Sequence, residues 1–303
     1  MFSPASFIDE QEVRSVLDQL QSVPWPPGVE EARLHYDDMG SAIASDVRVE
    51  MIDASGVTGQ MLTPPVADKN RAVIFLHGGG YVFGSLRSHG GLAAEVARAA
   101  QCQVLQLDYR RAPEHPFPAA LEDSCAAFRL LVDRGIEPQR IALVGDSAGG
   151  GLVVATLVAL REAGETLPGA VVCLSPWVDL EATGESYETR RSIDPMVEWE
   201  TVDLVSRLYL NGADPRTPTA SPIHADLRGL PPLLVQVGER EILFSDAQRL
   251  ADKAKASGVD VIFEEWPGLY HVWHLQHEIL SAARVAIARV GQFVRIKTGS
   301  WNV

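Results

Sequence analysis

Ser147 lies between Gly145 and Gly149, where an apolar run gives way to small residues. Residues 141–144 are typical of a buried parallel strand, and residues 155–160 are interpreted as apolar on every face, as in a buried helix. A strand that turns into a helix within one residue brings two backbones together, so only very small side chains fit there. The pattern predicts the strained G-x-S-x-G turn that exposes a nucleophilic serine. The alternative is a glycine-rich turn whose serine caps the helix.

A serine hydroxyl becomes a nucleophile only when a base removes its proton and an acid orients that base. His271 and Glu241 follow the last two predicted strands, in the chain order Ser, acid, His. Two other carboxylates lie near the same strand end. Glu239 follows the strand too closely to reach the histidine easily. Asp246 lies near the start of a helix, where a carboxylate commonly interacts with the helix dipole. We therefore predict a triad of Ser147, His271 and Glu241, in which Glu241 fixes the imidazole tautomer.

Three consecutive glycines, Gly78 to Gly80, follow the predicted strand at 71–77. Glycines leave backbone N–H groups unshielded, and fixed N–H donors stabilise the negative oxygen that forms when a carbonyl is attacked. The alternative is a phosphate-binding loop, but neither G-x-G-x-x-G nor Gly-Lys-Ser/Thr occurs here. We therefore interpret the glycines as an oxyanion loop.

The other histidines are weaker candidates. His115 lies among prolines beside Glu114, a setting that favours a structural hydrogen bond over catalysis. His271, His274 and His277 are spaced three apart, but residues at this spacing shift progressively around a helix and do not stay on one face. No H-E-x-x-H pattern is present either. We predict no metal and no cofactor, and we interpret His274 and His277 as ordinary helix residues.

The elements that must position these residues alternate between strands and helices, which predicts an α/β fold. Roughly eight strands are expected, at residues 47–52, 57–62, 71–77, 103–108, 141–144, 170–174, 233–237 and 261–265. Helices are expected at residues 13–20, 30–37, 119–133, directly after Ser147, and at 198–210, 245–256 and 276–295.

Residues 178–225, here called the insertion, break this alternation with about 45 residues that lack a core strand, too many for an ordinary connection. We expect residues 1–45 and the insertion to form a helical cap over the carboxyl edge of the sheet. Residues 46–177 and 226–303 would form the catalytic domain. The candidate pocket residues are aromatic, and the alternative is that they only pack the cap onto the body. They are Tyr81, Tyr187, Trp199 and Tyr209.

Composition narrows the classes of partner. The chain of 303 residues has 26 basic and 40 acidic residues, a net charge of −14, and no basic cluster, so nucleic acid is an unsuitable partner. No signal peptide is recognisable in residues 1–11, and no apolar run is long enough to span a membrane, which favours a cytoplasmic location. The cysteines at 102, 125 and 173 lack metal spacing and are expected to be buried thiols. The sequence is compatible with a homodimer.

Together the motifs resemble the hormone-sensitive lipase family of α/β-hydrolases, in its bacterial carboxylesterase branch. The match rests on HGGG at 77–80, DYR-APEHPFPAA-ED across 108–123, GDSAGG at 145–150, and the late Glu241 and His271. The resemblance implies an eight-stranded, mostly parallel sheet, a helical cap, and hydrolysis of short- to medium-chain carboxylic esters without a cofactor.

The resemblance also implies residue roles. Ser147 would be the nucleophile and His271 the base. The amides of Gly79, Gly80 and Ala148 would form the oxyanion hole, and His77 would support that loop.

This chain departs from the family pattern in two places. The family usually has Asp within GxxDxL, whereas residues 238–243 here read GEREIL, with Glu241 at the acid position. Arg111 stands where the family generally has Leu, and the sequence offers no account of that change. The leading hypothesis is a serine carboxylesterase that works through an acyl-enzyme. The alternatives are a lactone or amide hydrolase with the same triad, and a non-catalytic receptor for a small ligand.

Overall fold

The computed structural model describes residues 3–22, 25–26, 28–54 and 56–299. Within them, eight strands form one sheet in the order β1-β2-β4-β3-β5-β6-β7-β8. The first three strands in this order pair antiparallel and all other neighbours pair parallel. The predicted α/β class and mostly parallel sheet are therefore confirmed. The strands are β1 (Arg48–Ala54), β2 (Val57–Thr63), β3 (Asp68–Leu76), β4 (Cys102–Leu107), β5 (Ile141–Asp146), β6 (Ala170–Leu174), β7 (Leu233–Gly238) and β8 (Val261–Trp266).

Helices cover both faces of the sheet. Successive strand residues point to opposite faces, so a strand covered on both sides is apolar throughout. The helices are α1 (Glu10–Gln21), α2 (Val29–Asp38), α3 (Leu86–Ala100), α4 (Ala119–Asp133), α5 (Ala148–Glu162), α6 (Ser186–Thr189), α7 (Trp199–Leu210), α8 (Phe244–Ala256) and α9 (Ser281–Thr298). In β3, Val73 and Phe75 join a core with α3 and α9, whereas Ile74 and Leu76 join a core with α4, α5 and α8.

The N-terminal helices lie against loops that leave the carboxyl edge of the sheet. On α1, Val16 is buried in a cluster with Trp266 and Trp273, on either side of the His271 loop. On α2, Arg33 donates to the carbonyl of Val82, just after the glycine loop, at 2.9 Å. The assignment of these helices and the insertion to a cap separate from the catalytic domain stays a prediction.

Helix α3 is absent from the sequence-based prediction. Its sequence contains Gly90 and Gly91, which weaken helix propensity. A Cβ on Gly91 would lie 2.0 Å from Ser41 Oγ, so this glycine permits a close approach of another segment. A capping box between Ser85 and Ser88 begins the helix.

The predicted start of the last helix at residue 276 is wrong. A short 3₁₀ helix covers Trp273–Gln276, and α9 begins at Ser281. There the Glu12 carboxylate of α1 accepts hydrogen bonds from the Ser281 N–H and Oγ–H, both at 2.7 Å. The group that caps α9 thus comes from a distant part of the chain, which local sequence patterns do not reveal.

Two further expectations concern the whole chain. All three cysteines are free and buried, as predicted. In the described ranges, no helix combines the length and the apolar character needed to cross a membrane.

Candidate active site

The turn between β5 and α5 places Ser147 in a strained conformation, with φ 52° and ψ −121°. Gly145 and Gly149 make this turn fit: a Cβ on Gly145 would lie 2.4 Å from Gly149 O, and one on Gly149 would lie 2.0 Å from Leu76 O. Within the described chain, the Ser147 side chain makes no hydrogen bond that caps α5. The helix-cap alternative is therefore wrong, and the hydroxyl is available for another partner.

That partner is His271. Its Nε2 lies 2.9 Å from Ser147 Oγ, and its Nδ1 lies 2.9 Å from Glu241 Oε2. With the proton on Nδ1 donated to Glu241, Nε2 can accept the Ser147 proton. Burial lowers the pKa of His271, but the hydrogen bond from His271 to Glu241 and the charge of Glu241 outweigh burial and raise the pKa above its ordinary value. The arrangement can remove a proton from Ser147 and hold it.

The Glu241 carboxylate is buried and held by two further donors. Its Oε1 accepts from the Gly238 N–H and from the Ser175 hydroxyl, each at 2.6 Å. Ser175 Oγ also accepts from the Val272 N–H at 3.2 Å, so one hydroxyl contacts both the acid and the chain next to His271. Sequence reasoning missed Ser175. The available signal was its position directly after β6, at the same sheet edge as the triad residues.

The other two carboxylates considered for the acid position are engaged elsewhere. Glu239 accepts from the Gly268 N–H at 2.8 Å. Asp246 Oδ2 accepts from the amides of Val178 and Asp179, both at 2.9 Å. Burial, with a smaller contribution from the Asp179 charge, raises the pKa of Asp246 to about 7. Glu241 is therefore the carboxylate of these three that contacts His271.

The glycine loop lies beside Ser147. The Gly78 N–H donates to Asp146 Oδ1 at 3.1 Å, which fixes the start of the loop to the residue before Ser147. Gly79 and Gly80 have φ of 109° and 62°, which favour glycine. In the described residues, their N–H groups have no recorded acceptor. Ala148 is the first residue of α5, where N–H groups lack a partner within the helix.

Buried aromatic and polar groups support the glycine loop. His77 stacks on Tyr109 at a ring-centroid distance of 4.1 Å, and its Nδ1 lies 2.8 Å from Gly78 O. Burial, reinforced by the nearby His89, lowers the pKa of His77 to about 3, so the imidazole is neutral. His89 Nε2 in turn lies 3.2 Å from Asp146 Oδ2. Neither His89 nor Asp146 was among the residues predicted for the site.

Arg111 has a structural partner after all. Its guanidinium donates to the carbonyl of Gly84, whose own position is tight because a Cβ there would lie 2.3 Å from Gly78 O. The neighbouring Glu114 accepts from Arg33 of α2 at 2.8 and 3.0 Å. His115 is exposed. Arg111 therefore contacts the turn that ends the glycine loop.

The histidines after His271 do not gather around it. His274 Nε2 lies 2.9 Å from Gln236 Oε1 under the sheet, and His277 Nε2 lies 2.8 Å from Ser41 Oγ. The prediction that they are ordinary helix residues is wrong: His274 lies in a short 3₁₀ helix, His277 directly follows it, and each ring has a different partner.

One group among the described residues has the spacing of metal ligands. It comprises Asp179, Glu181 and His224. Its carboxylates already bind cationic side chains, Asp179 with Arg249 at 2.8 Å and Glu181 with Arg216 at 3.0 Å. We therefore assign no metal to it.

Two of the candidate pocket aromatics pack the insertion onto the body. Tyr81 and Tyr209 stack with centroids 3.7 Å apart, and each is 1% exposed. Tyr187 contacts Trp199 edge-on at 5.9 Å. Beside them, a Cβ on Gly80 would lie 2.8 Å from the side chain of Val205 on α7. The packing alternative therefore describes Tyr81 and Tyr209, and a role for Trp199 in a pocket stays a prediction.

Comparisons with known proteins agree with this geometry. A family model described as the alpha/beta hydrolase fold matches residues 73–275. An acetyl-hydrolase of Streptomyces hygroscopicus is 45% identical over 274 residues, covering 89% of this chain and 91% of that protein. A putative acetyl-hydrolase, LipR, of Mycobacterium tuberculosis is 36% identical, covering 84% and 83%.

Among solved structures, an esterase from the bacterial hormone-sensitive lipase family has a TM-score of 0.94 and 47% identity, with 96% of this chain and 100% of that chain covered. A mutant of the esterase E40 has a TM-score of 0.93 and 48% identity, with the same coverage.

Proposed function

Because this chain belongs to the α/β-hydrolase family and is an esterase of its bacterial hormone-sensitive lipase branch, we propose that it cleaves short- to medium-chain carboxylic esters through an acyl-enzyme on Ser147. The observation that carries the proposal is the continuous hydrogen-bonded chain from Ser147 Oγ through His271 to Glu241. The substrate is a small molecule, and no step requires a metal or cofactor.

In the first half of the reaction, His271 Nε2 takes the Ser147 proton while Oγ bonds to the ester carbonyl carbon. The carbonyl electron pair moves to oxygen, where the N–H groups of Gly79, Gly80 and Ala148 stabilise the charge. The C–O bond to the alcohol then breaks, and the leaving alkoxide takes the proton from Nε2. In the second half, His271 Nε2 takes a proton from water while the water oxygen bonds to the acyl carbon. The bond from that carbon to Ser147 Oγ then breaks, and Oγ takes the proton from Nε2, which releases the acid and free Ser147.

We propose that the acyl group is short. Support comes from the side chain of Val205, which lies against Gly80, and from the buried Tyr81 and Tyr209 pair beside it. We take this close packing beside the proposed oxyanion hole as support for a small acyl group. Two of the relatives are named acetyl-hydrolases. With p-nitrophenyl esters of increasing chain length, we expect kcat/KM to peak between acetate and butyrate, and a peak at palmitate would contradict the proposal.

The nucleophile is tested with Ser147→Ala. We expect kcat on p-nitrophenyl butyrate to fall by about 10⁴-fold or more, because no other group can form the acyl-enzyme. A fluorophosphonate should label the parent enzyme and fail to label the variant. Ser257→Ala, at the end of α8 and outside the site, is the matched control and should keep full activity. Retained turnover by Ser147→Ala would overturn the mechanism.

A further inference from the structure

The insertion brings a partly buried carboxylate, Asp194, to the loop that carries Glu241. Asp194 Oδ2 accepts from the Ile242 N–H, one residue after Glu241, at 2.7 Å. Its Oδ1 accepts from the amides of Met196 and Val197 at 2.8 and 3.1 Å. One side chain thus closes a turn in the insertion and also holds the backbone beside the proposed triad acid.

Two arginines strengthen the same junction without neutralising Asp194. Arg190 of the insertion donates to the Glu239 carbonyl, and its guanidinium lies over the Phe244 ring at 3.6 Å. In the opposite direction, Arg240 Nε donates to the Ile193 carbonyl at 3.1 Å. Both guanidinium groups contact carbonyl oxygens here, and no ion pair of Asp194 with Lys or Arg is recorded among the described residues. The carboxylate charge is therefore available to act on other groups.

The proposed catalytic base is among the groups that this charge reaches. Burial raises the pKa of Asp194, and the positive form of His271 opposes that rise. Conversely, Glu241 acts most strongly to raise the pKa of His271 against burial, and Asp194 and Asp146 add to this effect. The nearby His274 adds no positive charge, because burial lowers its pKa to about 3. All three carboxylates therefore favour the charged form of His271, and of the three only Asp194 belongs to the insertion.

We propose that Asp194 is a positioning residue for ester hydrolysis: it docks the insertion onto the Glu241 loop and adds a further carboxylate to the surroundings of the His271 imidazolium that forms during the reaction. This inference rests on the proposed function. It also gives the insertion a part in the proton transfer, because Asp194 is held at the Glu241 loop by its hydrogen bond to the Ile242 N–H.

The test is the pH dependence of Asp194→Asn, which removes the charge and keeps one carbonyl acceptor. Without the carboxylate the His271 imidazolium is less stable, so we expect the acid limb of kcat/KM to move to lower pH by about half a unit. The plateau of kcat should fall by about three- to ten-fold with little change in KM. Asp194→Glu, which keeps the charge, should return the acid limb toward its original position.

Two further variants make the result decisive. Asp203→Asn removes an exposed carboxylate of α7 that pairs with Arg207, and its profile should match the parent. Asp194→Ser retains a short acceptor for the Met196 and Val197 amides, and it replaces the Asn variant if that protein does not fold. A lower melting temperature with an unmoved acid limb in the uncharged variants would overturn the inference. That result together with an inactive Ser147→Ala would leave the proposed function intact, whereas an active Ser147→Ala would reject the function itself.

Discussion

The two halves of the candidate site are positioned in different ways. Around Ser147 and the glycine loop, position is fixed by backbone packing, since a Cβ on Gly149 would lie 2.0 and 2.6 Å from the carbonyl oxygens of Leu76 and His77. Around Glu241 and His271, position is fixed by hydrogen bonds from side chains and amides of separate segments. The first half has no room for added atoms, whereas the second can lose one partner and keep others.

This difference predicts how each half responds to substitution. A clash between backbones cannot relax without moving β3 against α5, so side-chain atoms added at Gly145 or Gly149 should abolish the folded enzyme. In the second half, the loss of one hydrogen bond should reduce the rate or the stability by a limited amount.

The largest effect is expected for Gly149→Ala. The new methyl group meets two carbonyl oxygens of the neighbouring strand, so we expect unfolding free energy to fall by about 4 kcal/mol or more and activity to disappear. Denaturant unfolding and p-nitrophenyl butyrate assays measure both. Gly90→Ala is the matched control: its methyl group would meet side-chain atoms and no backbone, namely Ile43 Cδ1 and Cγ1 at 3.1 Å and Gln60 Nε2 at 3.7 Å, and stability should change by about 1 kcal/mol at most. Equal tolerance of the two substitutions would break the comparison.

The second effect is the loss of charge at the proposed acid. In Glu241→Gln the imidazolium loses its buried anionic partner and the tautomer is no longer enforced, so kcat should fall by about 10³- to 10⁴-fold. The pKa of His271 should also fall, which moves the acid limb of kcat/KM to lower pH. Steady-state kinetics across pH provide the measurement. Glu239→Gln, two residues away, should behave like the parent. If Glu239→Gln instead lost activity and Glu241→Gln kept it, the acid would be Glu239.

A smaller effect is expected for Ser175→Ala. The substitution removes one of the two additional donors to Glu241 Oε1 and the acceptor for the Val272 amide, while the Gly238 N–H remains. We expect kcat to fall by about ten-fold with KM nearly unchanged, because one charge-assisted hydrogen bond contributes roughly 1.5 to 3 kcal/mol. A loss as large as that of Glu241→Gln would show that this half is as intolerant as the first.

The smallest effect concerns how stability depends on pH through Asp246, which binds the amides of the first two residues of the insertion. In the folded protein, burial raises the pKa of Asp246 to about 7, whereas the pKa of an unfolded aspartate is about 4. Between pH values of about 4 and 7, Asp246 is therefore protonated more often in the folded state than in the unfolded state. The stability that this proton supplies is lost progressively as the pH rises to about 7. In Asp246→Asn, the difference in unfolding free energy between pH 5.5 and 8 should shrink by on the order of 1 kcal/mol. An unchanged slope in denaturant titrations would contradict this expectation.

The amino-acid sequence by itself determined the parts that depend on neighbours along the chain. Apolar runs located every strand of the sheet, and the glycine spacing located the turn at Ser147 and the loop at residues 78–80. Glu241 and His271 could be selected because each follows a strand whose end must reach the same sheet edge. Their catalytic roles remain our proposal, but their positions were readable because strand order and periodicity are local properties.

Only the tertiary structure decided which distant groups meet. Glu12 caps α9 from the other end of the chain, which moved the helix start to Ser281 and left His274 and His277 outside it. Ser175 reaches Glu241, and Asp194 reaches the amide next to it, across gaps of 66 and 48 residues. A serine or an aspartate has no sequence pattern that names its partner. Hydrogen bonds between separate loops form only after the sheet has aligned the strands that carry them.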